Sequence, residues 1–210
     1  MMSLFQSGGS FMYVILLVSV VALALFAERA VFLYVNLRMN VESSFQKIMV
    51  ALDTMNYRGA IEECTRLEHH PLGRILKSGL LKADMRDKDI ERTLEEHILK
   101  EIPVVKARIN LLTMFANIST LLGLLGTIVG LIGAFQGVSG ANAAMKQEIL
   151  ASGISVAMLT TAFGLIVAIP CLAGYYILNN RGEFIIDQFE EKALSLFNKL
   201  STLKLEKGGA

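Results

Sequence analysis

The chain is poor in the residues that build disulfide scaffolds, metal centres and active sites. Only two cysteines occur among 210 residues, Cys64 and Cys171. They lie too far apart for a disulfide framework or a metal-ligand spacing, and both are expected as small buried apolar side chains. His69, His70 and His97 are the only histidines. No acidic or cysteine cluster stands at ligand spacing from them, so solvated side chains are expected and no metal. No Lys or Arg precedes Arg29, which excludes a signal peptide with a basic segment ahead of its apolar core. Neither a phosphate-binding glycine loop nor a nucleophile–base set is visible. Enzymatic chemistry, ATP-driven work by this chain alone, a cofactor and a nucleic-acid partner are therefore not expected. The most informative absence is charge: residues 109–145 and 149–180 contain no Asp, Glu, Lys, Arg or His. These runs of 37 and 32 residues far exceed the ~20 apolar residues that cross a bilayer.

What is present fits that medium. The chain is 53% hydrophobic with a mean hydropathy of +0.52, too apolar for an ordinary soluble domain. Residues 1–27 carry no charge either, and residues 11–27 are almost entirely apolar, giving a first span over about residues 9–34. Lys and Arg number 13 in residues 36–108, one in the short loop near residue 146 and five after residue 180. By the positive-inside rule this asymmetry places the N-terminus outside and the large loop and tail in the cytoplasm. The fold class expected is all-α, a polytopic membrane protein in the lipid bilayer whose three long helices extend into a cytoplasmic helical bundle. Its segments are a first span in 1–35, a cytoplasmic helical domain in 36–108, a second span in 109–137, a short periplasmic loop in 138–149, a third span in 150–180 and a C-terminal helix in 181–210.

Glu28 and Arg29 close the first span and are followed by six apolar residues. They are either interfacial side chains reaching for the headgroups or an orienting ion pair within the helix bundle. In the large loop, Phe45-Ile48-Met49-Leu52 and Ile90-Leu94-Ile98-Ile102 have helical spacing, and Pro71-Leu72-Gly73 marks a turn between helices. One helix is expected to run from about Asp87 straight into the second span, kinked by Pro103. In the tail, Ile186, Phe189, Ala193, Leu196, Leu200 and Leu203 recur at spacings of 3-4-3-4-3. Such a seam packs on a copy of itself or on the cytoplasmic helices, or lies on the membrane surface.

The second and third spans carry the unusual patterning. Gly123, Gly126, Gly130, Gly133 and Gly137 alternate at spacings of three and four, so all five share one face where a neighbouring helix can approach closely. Asn117, Thr120 and Thr127 form a polar stripe beside it, within about 80° at 100° per residue. In the third span Gly153, Ala157, Thr161, Gly164 and Ala168 share a face with Thr160 at its edge, and Pro170 is expected to bend the helix. Threonines in membrane helices often bond only to their own preceding turn. Thr127 and Thr161, on small-residue faces, have room instead to line a narrow wet passage or to bond a partner helix. A proton path normally needs an ionisable relay, and neither span has one. If protons move here, another protein must supply the group that carries them.

Residues 121–130, LLGLLGTIVG, resemble the second-helix signature of the ExbB/TolQ/MotA proton-channel family. Gly153-Ile154 and residues 160–170, TTAFGLIVAIP, resemble its third-helix signature, and Glu28-Arg29 matches the acidic–basic pair that closes its first helix. Three N-out spans with a large cytoplasmic loop are similar to the ExbB/TolQ branch rather than the four-span flagellar one. The resemblance implies a homopentamer in the bacterial inner membrane, its second and third helices lining a pore around a dimer of a single-span ExbD/TolR-like protein. That partner's membrane aspartate would carry the ion, H+ with Na+ not excluded, past the pore threonines Thr127 and Thr161. The implied function is a proton-channel subunit of a rotary energiser that works on a periplasmic or outer-membrane client, in a TonB-like, Tol-like or gliding-motility system. Two positions depart from the pattern: Val156 stands where many relatives carry Glu, and Thr120 where Pro is frequent. The competing function is a non-conducting oligomeric scaffold whose cytoplasmic helices recruit partners.

Overall fold

A computed structural model describes residues 10–38, 41–139 and 142–208. Residues 1–9 of the expected first segment, residues 39 and 40 of the expected cytoplasmic domain, residues 140 and 141 of the expected loop, and the last two residues of the expected tail lie outside them. Among the described residues the chain is all helix with no strand: α1 (Ser10–Tyr34), a 3-10 turn (Asn36–Arg38), α2 (Val41–Asp53), α3 (Tyr57–Arg66), α4 (Pro71–Leu80), α5 (Asp87–Lys106), α6 (Asn110–Ser139) and α7 (Ala143–Gly208). Three helical stretches are long and apolar enough to cross a membrane, Phe11–Tyr34, Asp87–Ser139 and Met145–Glu206. The chain is thus an all-α, multi-pass membrane protein.

Three local expectations are corrected. The helix expected to run unbroken from Asp87 into the second span is interrupted at residues 107–109, where Arg108 takes a φ of 61°. Pro103 lies inside α5 and Pro170 inside α7, with helix on both sides of each. The break therefore falls after Pro103, where a residue enters the left-handed region. The expected loop of residues 138–149 is much shorter, since α6 reaches Ser139 and α7 starts at Ala143. Pro71 opens a helix rather than marking a turn: the turn lies just before it, and proline's missing N–H costs nothing at the first helical position.

The helices form two units, each with its own core: the described residues up to Arg29 with Arg108–Leu178, and Ala30–Ala107 with the tail from Asn179. In the first, Ile15 and Ala22 of α1 pack with Ala116 of α6 and Val167, Ala168 and Cys171 of α7. Phe26 of α1 lies over Gly174, where a methyl group would sit 2.8 Å from its ring. Large apolar side chains such as Leu17, Leu23, Leu121, Phe135 and Ile169 point outward, each more than half exposed. Water would not tolerate that surface; lipid and neighbouring helices do.

The second unit is a small charged bundle. Phe45, Ile48 and Leu52 of α2, Leu72, Ile75 and Leu76 of α4, and Ile90 and Leu94 of α5 are buried. All six apolar residues of the tail seam, Ile186 to Leu203, are buried too. Their cover comes from this chain's own helices: Phe189 stacks edge-on with His70, and Leu196 reaches Gly79. The membrane-surface alternative for the tail is thereby excluded. Lys192 pairs with Glu42 at 2.9 Å, Lys204 with Asp87 at 3.0 Å, and Lys199 with Asp53.

Candidate functional site

The seam between α6 and α7 is the feature around which the apolar unit is built. Six successive contacts pair the two helices in antiparallel register. Gly164 faces the Ser119 carbonyl and Gly123; Gly123 faces Thr161; Gly126 faces the Thr160 methyl; Gly130 faces Ala157; Gly153 faces Ala134; Gly137 faces Ile149. A β-carbon added at Gly123 would lie 3.2 Å from Thr161 Cα, and one at Gly130 would lie 3.2 Å from Ala157 Cβ. Residues 119–137 rise about 27 Å, close to the ~30 Å of a bilayer's hydrocarbon. The contact is thus about as long as a bilayer's hydrocarbon is thick.

Gly133 is not part of this seam: nothing lies within 4 Å of where its β-carbon would be. The face passes instead through Ala134, 4% exposed. Steps of three and of four residues both keep to one side of a helix with 3.6 residues per turn, and from Gly130 the fourth residue, not the third, meets α7. Ser119 belongs to the same face, fully buried one turn before Gly123. Both residues fit the spacing and were hidden because they are not glycine.

The hydroxyls sort into two groups. Thr120 donates to the Ala116 carbonyl at 3.1 Å, Thr127 to the Leu124 carbonyl at 2.6 Å and Thr160 to the Val156 carbonyl at 2.8 Å, each within its own helix. Thr161 crosses between helices, donating to the Gly123 carbonyl at 3.1 Å. The absent side chain of Gly123 leaves that carbonyl within reach of the neighbouring hydroxyl. Thr160 is 1% exposed beneath Gly126; within the chain it is a packing residue rather than one that lines a surface. Thr127 and Thr161 are half-buried, and Asn117 and Thr120 stand at the surface of α6. A threonine hydroxyl can donate and accept a hydrogen bond but does not release its proton near neutrality. The seam can therefore stabilise a carboxyl group brought to it, not replace one.

The charged pair at the end of α1 is a triad. Glu28 Oε1 lies 3.6 Å from the Arg29 guanidinium and 2.8 Å from that of Arg108. Arg29 is buried and Glu28 half exposed. Arg108 was not legible as a partner, because it lies 80 residues away in sequence and reaches Glu28 from the break after α5.

In the charged unit, His70 corrects the expectation of solvated histidines. It is buried, its Nδ1 accepts from the Leu72 N–H at 3.2 Å, and it caps α4. Burial pushes its pKa below the usual histidine value; the Leu37 backbone raises it in part, Arg74 lowers it and Glu101 raises it. His97 is half-buried with Nδ1 2.9 Å from the Thr93 carbonyl, and His69 is exposed. Burial drives the Cys64 thiol up to about 12, so it is inert as a nucleophile. Arg74 grips Glu101 through two hydrogen bonds of 2.7 and 2.6 Å. Among the described residues no group of His, Cys, Asp and Glu is placed to hold a metal ion.

Residues 67–191 match the family described as the MotA/TolQ/ExbB proton channel family, a stretch that contains all of α4, α5, α6 and the α6–α7 seam. A search of curated proteins found no match.

Proposed function

Because the chain belongs to the MotA/TolQ/ExbB proton channel family, we propose that it is the channel subunit of a bacterial inner-membrane energiser that couples ion flow to work on a periplasmic or outer-membrane client. On this reading it assembles as a homopentamer, N-terminus outside, around a dimer of an ExbD/TolR-like single-span protein. The client belongs to a TonB-like, Tol-like or gliding-motility system. The carrying observation is a seam of small residues about as long as a bilayer's hydrocarbon is thick, with a hydroxyl bridging it, Thr161 to the Gly123 carbonyl, and no ionisable group in either apolar run. A channel without its own relay needs the partner's membrane aspartate.

The mechanism follows from the threonines. As the ring turns about the dimer, the partner's carboxyl stays neutral while it faces apolar helix surface, where a charge is expensive. At the Thr127–Thr161 level it meets hydroxyls that reorient from backbone carbonyls towards a carboxylate at the cost of bonds worth roughly 0.5–1.5 kcal/mol each. Charge is tolerated there, and the proton is exchanged.

Two experiments test this. Native mass spectrometry of the chain co-purified with an Asp-bearing single-span neighbour should give a pentamer with two neighbour copies; a pentamer alone, with a folded neighbour present, refutes the motor. Replacing Thr161 by Val should leave assembly intact, since interhelical hydrogen bonds in membranes average about 0.6 kcal/mol, while client-driven activity is lost. Thr161→Ser should restore it, and an active Thr161→Val variant rejects the gating role.

A further inference from the structure

An apolar groove of about 660 Å³ runs between α5 and the tail section of α7. Leu94, Ile98, Leu99 and Ile102 line one side and Leu194 and Phe197 the other. Leu99 is 66% exposed and Leu194 60%. The rim is made of Glu91, Glu95, Asp187, Glu190 and Glu191, with no lysine or arginine among the lining residues. Glu191 lies 3.5 Å from Lys192; the other four have no ion pair among the described residues.

The same unit pairs Arg74 with Glu101, Lys106 with Glu183 and Lys204 with Asp87. Four of its unpaired acids, Glu91, Glu95, Asp187 and Glu190, frame an exposed apolar floor. Such a strip repels itself and attracts a segment with cations flanking an apolar stripe. From Glu91 to Ile102 the groove is about 17 Å long, roughly three turns of a docked helix. A second copy of the chain would bring Lys192, Lys199 and Lys204, which are already engaged in ion pairs within their own chain.

We propose that this groove docks a basic amphipathic helix, the lysine- and arginine-rich flank of the single-span membrane partner. The partner's identity rests on the function proposed above; the groove's chemistry does not. By the positive-inside rule a span's flank on the side of this charged unit carries the cations, which the four uncompensated carboxylates complement.

The test uses the full chain in nanodiscs of zwitterionic lipid with a fluorophore on Leu194→Cys, both native cysteines being buried. A helical peptide of about three turns built from Leu and Lys should bind and shift the emission, and the same peptide with Glu for Lys should not. Affinity for the Lys peptide should fall about tenfold or more in a Glu91→Gln, Glu95→Gln, Asp187→Asn, Glu190→Gln variant, and likewise at raised salt. Equal binding of both peptides, or no loss in the variant, overturns the charge argument. In the complex with the Asp-bearing partner the label should be shielded, and deletion of that partner's charged flank should expose it. A complex that forms with the label still exposed overturns this proposal and leaves the motor reading standing. If no such partner co-purifies, the motor reading and the source of the helix fall together, while the peptide result still decides the groove. Shielding of the label in the chain alone identifies a second copy as the occupant and rejects the partner.

Discussion

Gly164→Ala and Gly133→Ala make the same chemical change on the two helices of one expected seam, and the structure gives them opposite outcomes. A β-carbon at position 164 would lie 2.6 Å from the Ser119 backbone carbonyl and 3.2 Å from Gly123 Cα. Neither atom is the end of a flexible side chain, so the helices must part. Restoring an ordinary contact of 3.4 Å from 2.6 Å requires about 0.8 Å of separation. The same displacement would carry the Thr161–Gly123 hydrogen bond from 3.1 Å to nearly 3.9 Å, beyond hydrogen-bonding range. Overpacking of this kind costs about 1–3 kcal/mol and the lost bond about 0.6, against about 1 gained from alanine's helix propensity. A net loss of roughly 0.6–2.6 kcal/mol is expected. At position 133 the new methyl meets nothing within 4 Å, so only the propensity gain remains, about 0.5–1 kcal/mol. The assay is loss of helicity of the purified chain on titration from mild detergent into SDS, followed by circular dichroism. Gly164→Ala should move the midpoint down and Gly133→Ala leave it unchanged or move it up. A Gly133→Ala variant as damaged as Gly164→Ala, or a Gly164→Ala variant at wild-type stability, refutes the assignment of the seam.

Glu101→Gln should destabilise the charged unit by roughly 1–3 kcal/mol, because it leaves the half-buried Arg74 guanidinium without its two-point partner; an unchanged thermal midpoint rejects that pair as structural. The pKa of His70 is depressed by burial, so the unfolded chain binds the proton more readily than the folded one. Stability should therefore hold above the unfolded value of 6.5 and decline as pH falls from there towards the lower folded pKa. Comparing thermal midpoints at pH 7.5 and about 5.5 (near the ordinary histidine pKa) should show a smaller decline in His70→Asn, which keeps a capping side chain; equal declines reject the mechanism. Leu196→Ala, at a position that is fully buried, should cost about 2–5 kcal/mol, measured by chemical unfolding, whereas Leu194→Ala at the exposed groove should cost far less.

The sequence by itself determined the medium and the classes of element. Charge-free runs of 37 and 32 residues cannot be accommodated in water, and in lipid only helices satisfy the backbone. The tail seam was equally legible, because a 3-4 repeat of apolar residues has one helical solution; which surface covered it was not, since a pattern names a face and not its neighbour. Within the chain, Gly123, Gly126, Gly130 and Gly137 of the expected glycine face meet α7, and Gly133 meets nothing within 4 Å. Spacings of three and four are degenerate on a 3.6-residue helix, so only packing against α7 chose Ala134 over Gly133. The threonines showed the same limit: their presence was plain, but which hydroxyl closed on its own turn and which crossed to Gly123 depended on helix register. Arg108 was wholly a decision of the tertiary structure, because its φ of 61° and its distant partner Glu28 follow from where two helices end. Periodicity records what a residue needs around it; only the folded chain fixes which atoms provide it.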